Sequence, residues 1–493
     1  MSADLSVLKN KLEEIITFLQ KVESTHTELL AQVQPHYYES ARNLVHYMAL
    51  RTFDLRGIQE ELSTLSISSL GHSESYTLTN LQNILRLLHL LNQETHSESD
   101  FHSPYDYKKG RQQLQQNSLE LFGKHQRGEG SSIMVTMPAE AADNYELIRA
   151  LLEAGMNIAR INTSHESPTE WYHIIQHIRK GEKETGKSCL VYIDLAGPKL
   201  RTEEIAPLKK KKDYIRLSAG DTLYLVKNIP KVVDKDEFYA SVQLPEIFKD
   251  AKVGERIYFD DGKIGGVIEE VETDIITVKI TEASAKGVKL RADKGINLPD
   301  TQLSLPSLTE IDLINLPFVA ANADIIGYSF ARRPTDVEFL QQELQRLGHS
   351  DKGITLKIET KEAFENLPMM LLTAMRSPKV GVMIARGDLA VEIGFERIAE
   401  VQEEILWICE AAHVPGIWAT QVLEKLVKEG NPTRAEVTDA AMAARTECVM
   451  LNKGPYIVEG VRTLANIIER MQEHQFKRKG NLRPLSVARL FLN

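Results

Sequence analysis

Short apolar runs alternate with segments of helical periodicity from residue 133 almost to the end of the chain. Uninterrupted apolar runs are typical of parallel strands that are buried on both faces of a sheet. Eight strand–helix units are the number that closes a (β/α)8 barrel, so the pattern predicts an α/β protein built on a TIM barrel. The predicted strands are residues 133–137, 157–162, 190–195, 324–329, 354–359, 380–385, 417–421 and 448–452.

Two stretches depart from this alternation. Residues 1–127 repeat apolar side chains at helical spacing and predict an all-α N-terminal module. Residues 203–291 contain short alternating segments and hairpin turn signals, which predict a small β-barrel domain inserted after the third strand as a lid. The other expected divisions are a polar linker at 124–132, the two parts of the barrel at 128–202 and 292–475, and a C-terminal tail at 476–493.

Composition narrows the function classes of this 493-residue chain. Its net charge of -10 provides no basic footprint for nucleic acid, and the lysines at 209–212 are interpreted as a solvated turn. Three cysteines are too few and too scattered for a disulfide framework or a zinc site. The sequence has neither an apolar signal core nor an uncharged run of membrane-spanning length. We therefore expect a soluble, cytoplasmic protein without nucleic-acid or membrane partners.

Charged residues occur at the carboxyl ends of two neighbouring predicted strands. One strand ends in Lys357-Ile358-Glu359, and the next is followed shortly by Asp388. Because side chains alternate along a strand, Lys357 and Glu359 are expected on the same side, where both face one ligand. Glu359 and Asp388 would then share a hard divalent cation. This arrangement indicates phosphate chemistry.

Nine short motifs follow one another through the barrel and the insertion. They are AGMNIARINTSH at 154–165, IDLAGPKLRT at 193–202, DDGKI at 260–264, KGINLP at 294–299, SFARR at 329–333, KIE at 357–359, ARGDLAVEI at 385–393, ATQ at 419–421 and PTRAEVTD at 432–439. In this order they give residues 131–470 a resemblance to the pyruvate kinase family. The resemblance implies phosphoryl transfer from phosphoenolpyruvate to ADP, which forms pyruvate and ATP.

The resemblance also implies a role for each residue that matches a family motif. Glu359 and Asp388 correspond to the magnesium ligands, with manganese as an alternative ion. Lys357 corresponds to the lysine that stabilises charge on the transferring phosphoryl group. The resemblance assigns Arg160 and Arg201 to phosphate binding, and Thr420 to proton delivery at the enolate carbon. It assigns the segment Ala385, Arg386, Gly387 and Asp388 to binding of the substrate carboxylate. It assigns Arg160, His165 and Lys294 to nucleotide binding.

One departure concerns the monovalent cation that many family members require. This chain has Lys199 where those members have a glutamate. The lysine ammonium is expected to replace the cation, so we expect activity without added potassium. The residues that correspond to the usual surroundings of the cation are Asn162, Ser164, Asp194 and Leu195.

Other departures concern the expected nucleotide side. Met137-Pro138-Ala139 stands where the family usually has threonine, glycine and proline, and Asn452-Lys453-Gly454-Pro455 replaces a usual Ser-Gly-Glu-Thr run. Ala196 replaces a common lysine. Two alternatives stay open. These departures support a related enzyme with another acceptor, or an enolpyruvate-handling lyase. The N-terminal extension favours the other alternative, a non-catalytic scaffold that binds phosphoenolpyruvate.

The end of the chain also differs from the family pattern. Asn493 follows the last predicted barrel helix closely, so we expect neither the C-terminal domain of many relatives nor regulation through its effector site. The tail at 476–493 mixes basic and apolar residues. Apolar clusters of this kind seldom stay in water, which favours docking on the N-terminal module or on a second subunit. A homo-oligomer formed through the module or the tail is a further expectation.

Overall fold

The computed structural model describes residues 5–67, 70–92, 105–124, 130–207, 213–234, 237–242, 244–471 and 486–492. The lysines at 209–212 and most of the expected linker and tail lie outside these residues. The described segments before the first strand form helices α1 (Leu5–Thr25), α2 (Thr27–Leu30), α3 (Tyr38–Leu50), α4 (Arg56–Thr64), α5 (Thr77–Leu91) and α6 (Tyr107–Phe122). Among the described helices, none combines the length and the hydropathy that crossing a bilayer requires.

The remaining elements follow the predicted alternation. The first part of the barrel contains β1 (Ser132–Thr136), α7 (Tyr145–Ala154), β2 (Ile158–Asn162), α8 (Pro168–Thr185) and β3 (Leu190–Asp194). The insertion contains β4 (Thr202–Ala206), β5 (Ile215–Leu217), β6 (Thr222–Val226), β7 (Phe238–Val242), α9 (Ile247–Asp250), β8 (Arg256–Phe259), β9 (Ile264–Val271), β10 (Ile275–Glu282), β11 (Val288–Leu290) and β12 (Ile296–Asn297). The second part contains α10 (Glu310–Asn322), β13 (Ile325–Tyr328), α11 (Pro334–Arg346), β14 (Gly353–Ile358), α12 (Lys361–Glu365), α13 (Leu367–Ala374), β15 (Lys379–Ala385), α14 (Arg386–Ile393), α15 (Ile398–Ala411), β16 (Gly416–Ala419), α16 (Glu424–Glu429), α17 (Arg434–Ala443), β17 (Cys448–Leu451) and α18 (Ile457–Met471), and α19 (Ser486–Leu492) follows.

Eight parallel strands close a barrel in the order β1-β17-β16-β15-β14-β13-β3-β2. Val135 pairs with Leu451 and so joins the first strand to the last. The strands are almost wholly buried, because one face packs on the outer helices and the other fills the barrel. The predicted TIM barrel is confirmed. Since all eight strands run in the same direction, their carboxyl ends meet at one rim.

The end of α6 fills the opposite mouth of the barrel. Leu121 and Phe122 belong to the same buried cluster as Met134 inside the barrel. A Cβ atom added to Gly353 or Gly381 would lie only 2.7 or 2.5 Å from a Leu121 methyl carbon. These two glycines therefore make room for the leucine. The predicted all-α module is confirmed, and its last helix contributes directly to the barrel core.

The insertion forms a second core of its own. Its main sheet has the order β12-β8-β9-β10-β6-β7-β4, and β5 pairs with β11. The predicted inserted β domain is confirmed. We call the two segments that connect it to the barrel the entry stem (residues 195–201) and the exit stem (residues 291–298). A β-bridge between Arg201 and Gly295 joins the two stems.

The N-terminal helices dock on the outside of the barrel through buried polar contacts. Asn43 on α3 donates its Nδ2 to the carbonyl of Ala411 at 2.8 Å. Asn117 on α6 donates to the carbonyl of His413 at 2.6 Å. The described part of the tail, α19, packs on α3, α12 and α13, and the Phe491 ring stacks on His26 with centroids 5.4 Å apart. This part of the tail therefore contacts the N-terminal module, one of its two expected partners.

His413 lies in the interface between the module and the barrel and is fully buried. Its Nε2 donates to the carbonyl of Ser75 at 2.9 Å, and its Nδ1 lies 3.0 Å from the hydroxyl oxygen of Ser40. Burial lowers the pKa of His413 to about 4, although the bond to Ser75 and the charge of Glu410 oppose this change. The folded protein therefore favours the neutral ring.

We expect acidification to weaken this interface. Between the unfolded pKa of 6.5 and the folded pKa of about 4, the unfolded chain binds a proton that the folded protein excludes. The stability that His413 contributes is therefore complete above pH 6.5 and is lost as the pH falls, by roughly 2 kcal/mol between about pH 7.5 and about pH 5. Urea titrations at the two pH values should show a larger drop in midpoint for the wild type than for His413→Gln. Equal drops would contradict this expectation.

Candidate active site

Two carboxylates project from the rim at the ends of adjacent strands. Glu359 directly follows β14, and Asp388 lies in the first turn of α14, which directly follows β15. The two strands pair along their length, with Ile358 opposite Ile384. Burial raises the pKa of Glu359; the positive charge of Lys357 opposes this change, and the negative charge of Asp388 adds to it. The two acids are therefore close enough for their charges to interact.

This pair of carboxylates fits a divalent cation. Two carboxylates that repel each other in a buried place are relieved by a cation that both can bind. Among the described residues, no three histidine, cysteine, aspartate or glutamate side chains converge to hold a metal ion. A pair of carboxylates leaves the other coordination positions to substrate and water, as is usual for magnesium in phosphate chemistry.

Lys357 projects from β14 into a buried cluster of oxygen atoms. Its Nζ donates to the hydroxyl oxygen of Ser329 at 2.6 Å and lies 3.1 Å from Glu359 Oε1 and 3.5 Å from Asp194 Oδ2. Burial alone would lower the pKa of Lys357, but the charges of Asp194 and Glu359 raise it above its ordinary value. The structure therefore brings a charged Lys357 and Glu359 together on one side of the strand.

Arg160 on β2 shares one of these anionic partners. Its Nε donates to Asp194 Oδ2 at 2.6 Å, and its Nη1 donates to Thr136 Oγ1 at 2.9 Å. Although burial alone would raise the pKa of Asp194, the charges of Arg160 and Lys357 hold it below its usual value. Asp194 is thus a common anchor for both cations, and it places the expected phosphate-binding arginine beside the expected phosphoryl-binding lysine.

The loop after β16 places Thr420 next to the start of α14. Thr420 adopts a left-handed backbone conformation with φ of 65°, and its Oγ1 accepts a hydrogen bond from the N–H of Gly387 at 3.0 Å. The expected proton-delivery residue therefore contacts the expected carboxylate-binding segment. The Arg386 guanidinium is engaged elsewhere, because it donates to the carbonyl of Ala419 at 3.0 Å and pairs with Asp439. Arg386 can serve the carboxylate only through its backbone.

Residues expected to bind the nucleotide lie beside the stems of the insertion. Burial lowers the pKa of His165, and the charge of Lys453 lowers it further, while the charges of Arg201 and Asp293 also act on its ring. Arg201 donates to the carbonyl of Asp293 at 3.2 Å. Lys453, one of the residues that departs from the family pattern, therefore belongs to the same side of the site as His165 and Arg201.

Lys294 lies on the exit stem and reaches the turn between β8 and β9. Its Nζ is 2.9 Å from Asp260 Oδ1, and Lys263 contacts the other oxygen of this carboxylate at 2.9 Å. Although partial burial opposes the effect, the two lysines hold the pKa of Asp260 below its usual value. The ammonium of Lys294 thus has an acidic partner within the insertion.

The residues expected around a monovalent cation have separate partners. Asn162 Oδ1 accepts from the N–H of Ser164 at 3.1 Å, and the N–H of the buried Leu195 donates to the carbonyl of Gly327 at 2.9 Å. The Lys199 Nζ lies 2.8 and 2.9 Å from the two carboxylate oxygens of Asp388. The ammonium expected to replace the monovalent cation therefore binds a residue expected to hold magnesium.

Four residues to which the sequence analysis gave no role complete the site. Ser329 receives the bond from Lys357, and the N–H of Phe330 donates to Glu359 Oε2 at 2.6 Å. Asn297 donates its Nδ2 to Glu392 Oε1 at 3.1 Å. Burial raises the pKa of Glu392 to about 7. Three of the four are polar side chains within or beside mostly apolar runs, and that placement is the signal that would have found them.

Comparisons with known proteins agree with this geometry. A family model described as "Pyruvate kinase, barrel domain" matches residues 129–461. The chain is 34% identical over 340 residues to a pyruvate kinase of Bacillus licheniformis, covering 68% of this chain and 56% of that protein. It is 30% identical over 361 residues to a pyruvate kinase of Clostridium acetobutylicum, covering 71% and 73% of the two chains. The crystal structure of a pyruvate kinase from Cryptosporidium parvum superposes with a TM-score of 0.62 at 26% identity, covering 73% of this chain and 70% of that one.

Proposed function

Because the chain belongs to the pyruvate kinase family, we propose that it transfers the phosphoryl group of phosphoenolpyruvate to ADP and forms pyruvate and ATP. The observation that carries this proposal is the buried ammonium of Lys357, 3.1 Å from Glu359 and at the same rim as Asp388. Phosphoryl transfer needs mainly positioning and charge stabilisation from the protein. A fixed cation beside two acids on neighbouring strands supplies both.

Glu359 and Asp388 would hold a magnesium ion, or manganese in its place. Such an ion, when bound, polarises the phosphoryl and enolate oxygens and offsets the charge that develops on them. The Glu359 carboxylate is oriented in advance, because the N–H of Phe330 binds one oxygen and Lys357 lies beside the other. An oriented carboxylate needs little rearrangement when the ligands arrive.

The phosphoryl group would be held between Lys357 and Arg160. Both side chains are anchored by the buried carboxylate of Asp194, so their positive charges stay in place. Charge spreads over the phosphoryl oxygens in the transition state, and fixed cations stabilise that charge more than they stabilise the bound substrate. Arg201, on the entry stem, would contribute from the side of the insertion.

Pyruvate forms when the enolate carbon gains a proton. We assign this delivery to Thr420, acting through water, because its hydroxyl lies beside the first turn of α14. The backbone of Ala385 to Asp388 would bind the substrate carboxylate, since the N–H groups at a helix start attract anions. Because Gly387 has no side chain, the space next to the Thr420 hydroxyl stays open for the substrate. A Cβ atom at this position would lie 3.7 Å from Thr420 Oγ1 and would fill that space.

ADP would bind near His165 and Lys294, at the stems of the insertion. Closure of the inserted domain would then exclude water, because hydrolysis of phosphoenolpyruvate competes with transfer. We also propose a cytoplasmic location, which the three buried cysteine thiols support. The domain limits at 1–127, 128–202, 203–291, 292–475 and 476–493, and a homo-oligomer formed through the module or the tail, are part of the same proposal.

The activity is tested by ATP formation from phosphoenolpyruvate with ADP, GDP, UDP or no nucleotide. We expect turnover with ADP and none above background without a nucleotide acceptor. Turnover with another nucleotide but not with ADP would favour the alternative acceptor, for which the position of Lys453 beside His165 is the supporting observation. Consumption of phosphoenolpyruvate without formation of pyruvate or ATP would favour a lyase, because release of pyruvate without a nucleotide is hydrolysis, with water as the acceptor. Binding of phosphoenolpyruvate without turnover at high enzyme concentration would favour the scaffold.

We expect this turnover to be independent of potassium. Lys199 supplies a positive charge near the site, and the family members that need the ion have a glutamate at this position. Rates in buffers with tetramethylammonium as the only monovalent cation should agree within about twofold with rates in potassium buffer. Negligible turnover that potassium restores would contradict the prediction.

A further inference from the structure

The carboxylate of Asp388 has an internal cation on both of its oxygens. Lys199 Nζ lies 2.8 Å from Oδ1 and 2.9 Å from Oδ2, so a single ammonium spans the carboxylate. The side chains of Lys199 and Asp388 are 20% and 16% exposed. Screening by solvent is therefore weaker than for a surface ion pair, and the contact is a substantial one. A divalent cation at Asp388 would need these same oxygens.

The ammonium comes from the entry stem and passes over the exit stem. A Cβ atom added to Gly295 would lie 2.9 Å from Lys199 Cε, so the lysine side chain passes close to the exit stem at this glycine. The neighbouring bridge between Arg201 and Gly295 fixes the two stems to each other. The position of the Lys199 side chain is therefore tied to both connections of the inserted domain.

Asn297 on the exit stem makes a second connection to the same helix. Its Nδ2 donates to Glu392 Oε1 at 3.1 Å and lies 3.5 Å from Asp388 Oδ1. Asp388 and Glu392 are one helical turn apart on α14, so one amide reaches two carboxylates on the same face. A side chain from each stem of the insertion thus contacts α14, the helix that carries Asp388.

We propose that Lys199 is an internal competitor of the divalent cation at Asp388, and that the cation binds by displacing the Lys199 ammonium and releasing the entry stem from α14. The proposal rests on the proposed function, because it uses the same metal-binding acids. A cleft of about 280 Å³ between the stems and the rim is lined by Lys199, Asn297 and Asp388, so a hydrated cation can reach the carboxylate. Metal binding and the position of the inserted domain are then coupled through one side chain.

The test measures Mn²⁺ binding by calorimetry to the full chain after treatment with a chelator, without substrates, so that it does not depend on turnover. Lys199→Met should lower the Kd for Mn²⁺ about tenfold, because the competing charge-assisted contact is lost. The matched control is Lys263→Met, which removes an exposed ammonium of the inserted domain that pairs with Asp260. It should change the Kd by less than about threefold, because a screened charge away from the carboxylate acts weakly. Lys199→Gln, which also removes the charge, serves if Lys199→Met does not fold.

The second readout is hydrogen exchange of residues 195–201. In the wild type, saturating Mn²⁺ should increase exchange there, because the stem loses its contact with α14; in Lys199→Met, exchange should be fast before Mn²⁺ is added and unchanged afterwards. Mn²⁺ affinity that is equal or weaker in Lys199→Met overturns the proposal, and so does wild-type exchange that Mn²⁺ leaves unaltered. If ATP formation fails while these binding results hold, the proposed function is wrong and the competition at Asp388 is right.

Discussion

Lys357→Met should lower kcat for ATP formation by about a thousandfold, with a much smaller change in KM for phosphoenolpyruvate. Methionine keeps most of the length and apolar character of the side chain and removes the charge. Loss of a single preorganised charge at the reacting group typically costs about 10²- to 10³-fold in kcat. Here the loss should reach the upper end, since the ammonium is buried among Ser329, Asp194 and Glu359 and water cannot replace it there.

The control for this substitution is Lys361→Met. Lys361 begins α12, four residues after Lys357, but its side chain is 49% exposed and its ion-pair partner Glu365 lies 3.9 Å away. Its kcat should stay within about threefold of the wild type, because an exposed ion pair contributes little. Melting temperatures of both variants show whether the fold is retained. A folded Lys357→Met with wild-type kcat would remove Lys357 from the proposed mechanism.

Strand and rim positions were predictable because local rules determine them. Alternation along β14 puts Lys357 and Glu359 on one side, and strand order puts β15 beside β14, whatever the surroundings are. The path of Lys199 was not predictable. Its contact with Asp388 joins residues 189 positions apart and depends on how the two stems cross at Gly295. A sequence pattern gives the residue type there, but not the direction of a long, flexible side chain.

The same difference between local rules and tertiary packing explains which core contacts the sequence did not predict. The helical periodicity of α6 predicts a helix, yet nothing local indicates that Leu121 fills a barrel mouth between Gly353 and Gly381. Asn297 and Glu392 lie in motifs that were recognised, but the role of a buried polar residue depends on the partner that satisfies it. Partners from distant segments are determined by tertiary packing, and a single sequence does not show them.

The balance of charges at the rim leads to the second prediction with a large effect, which concerns the divalent cation. Three cations, Arg160, Lys357 and Lys199, contact three carboxylates, Asp194, Glu359 and Asp388. Of these acids, Asp194 is occupied by two cations from the barrel wall. Glu359 and Asp388 are the two whose removal should affect the divalent cation directly.

Glu359→Gln should raise the Mg²⁺ concentration needed for half-maximal activity by about a hundredfold or more, and should weaken direct Mn²⁺ binding by a similar factor. A neutral amide loses the charge that a hard cation requires, and it leaves the buried Lys357 ammonium with one carboxylate fewer.

Asp388→Asn should act in the same direction but less strongly on Mn²⁺ binding, because it also removes the partner of Lys199 and so releases the competing ammonium. Glu146→Gln, which removes an exposed carboxylate that pairs with Arg149 on α7, is the matched control and should leave both quantities unchanged within about threefold. If Glu359→Gln and Asp388→Asn both bind Mn²⁺ like the wild type, these acids do not hold the cation; if only Asp388→Asn is weakened, the cation is held by Asp388 with ligands other than Glu359.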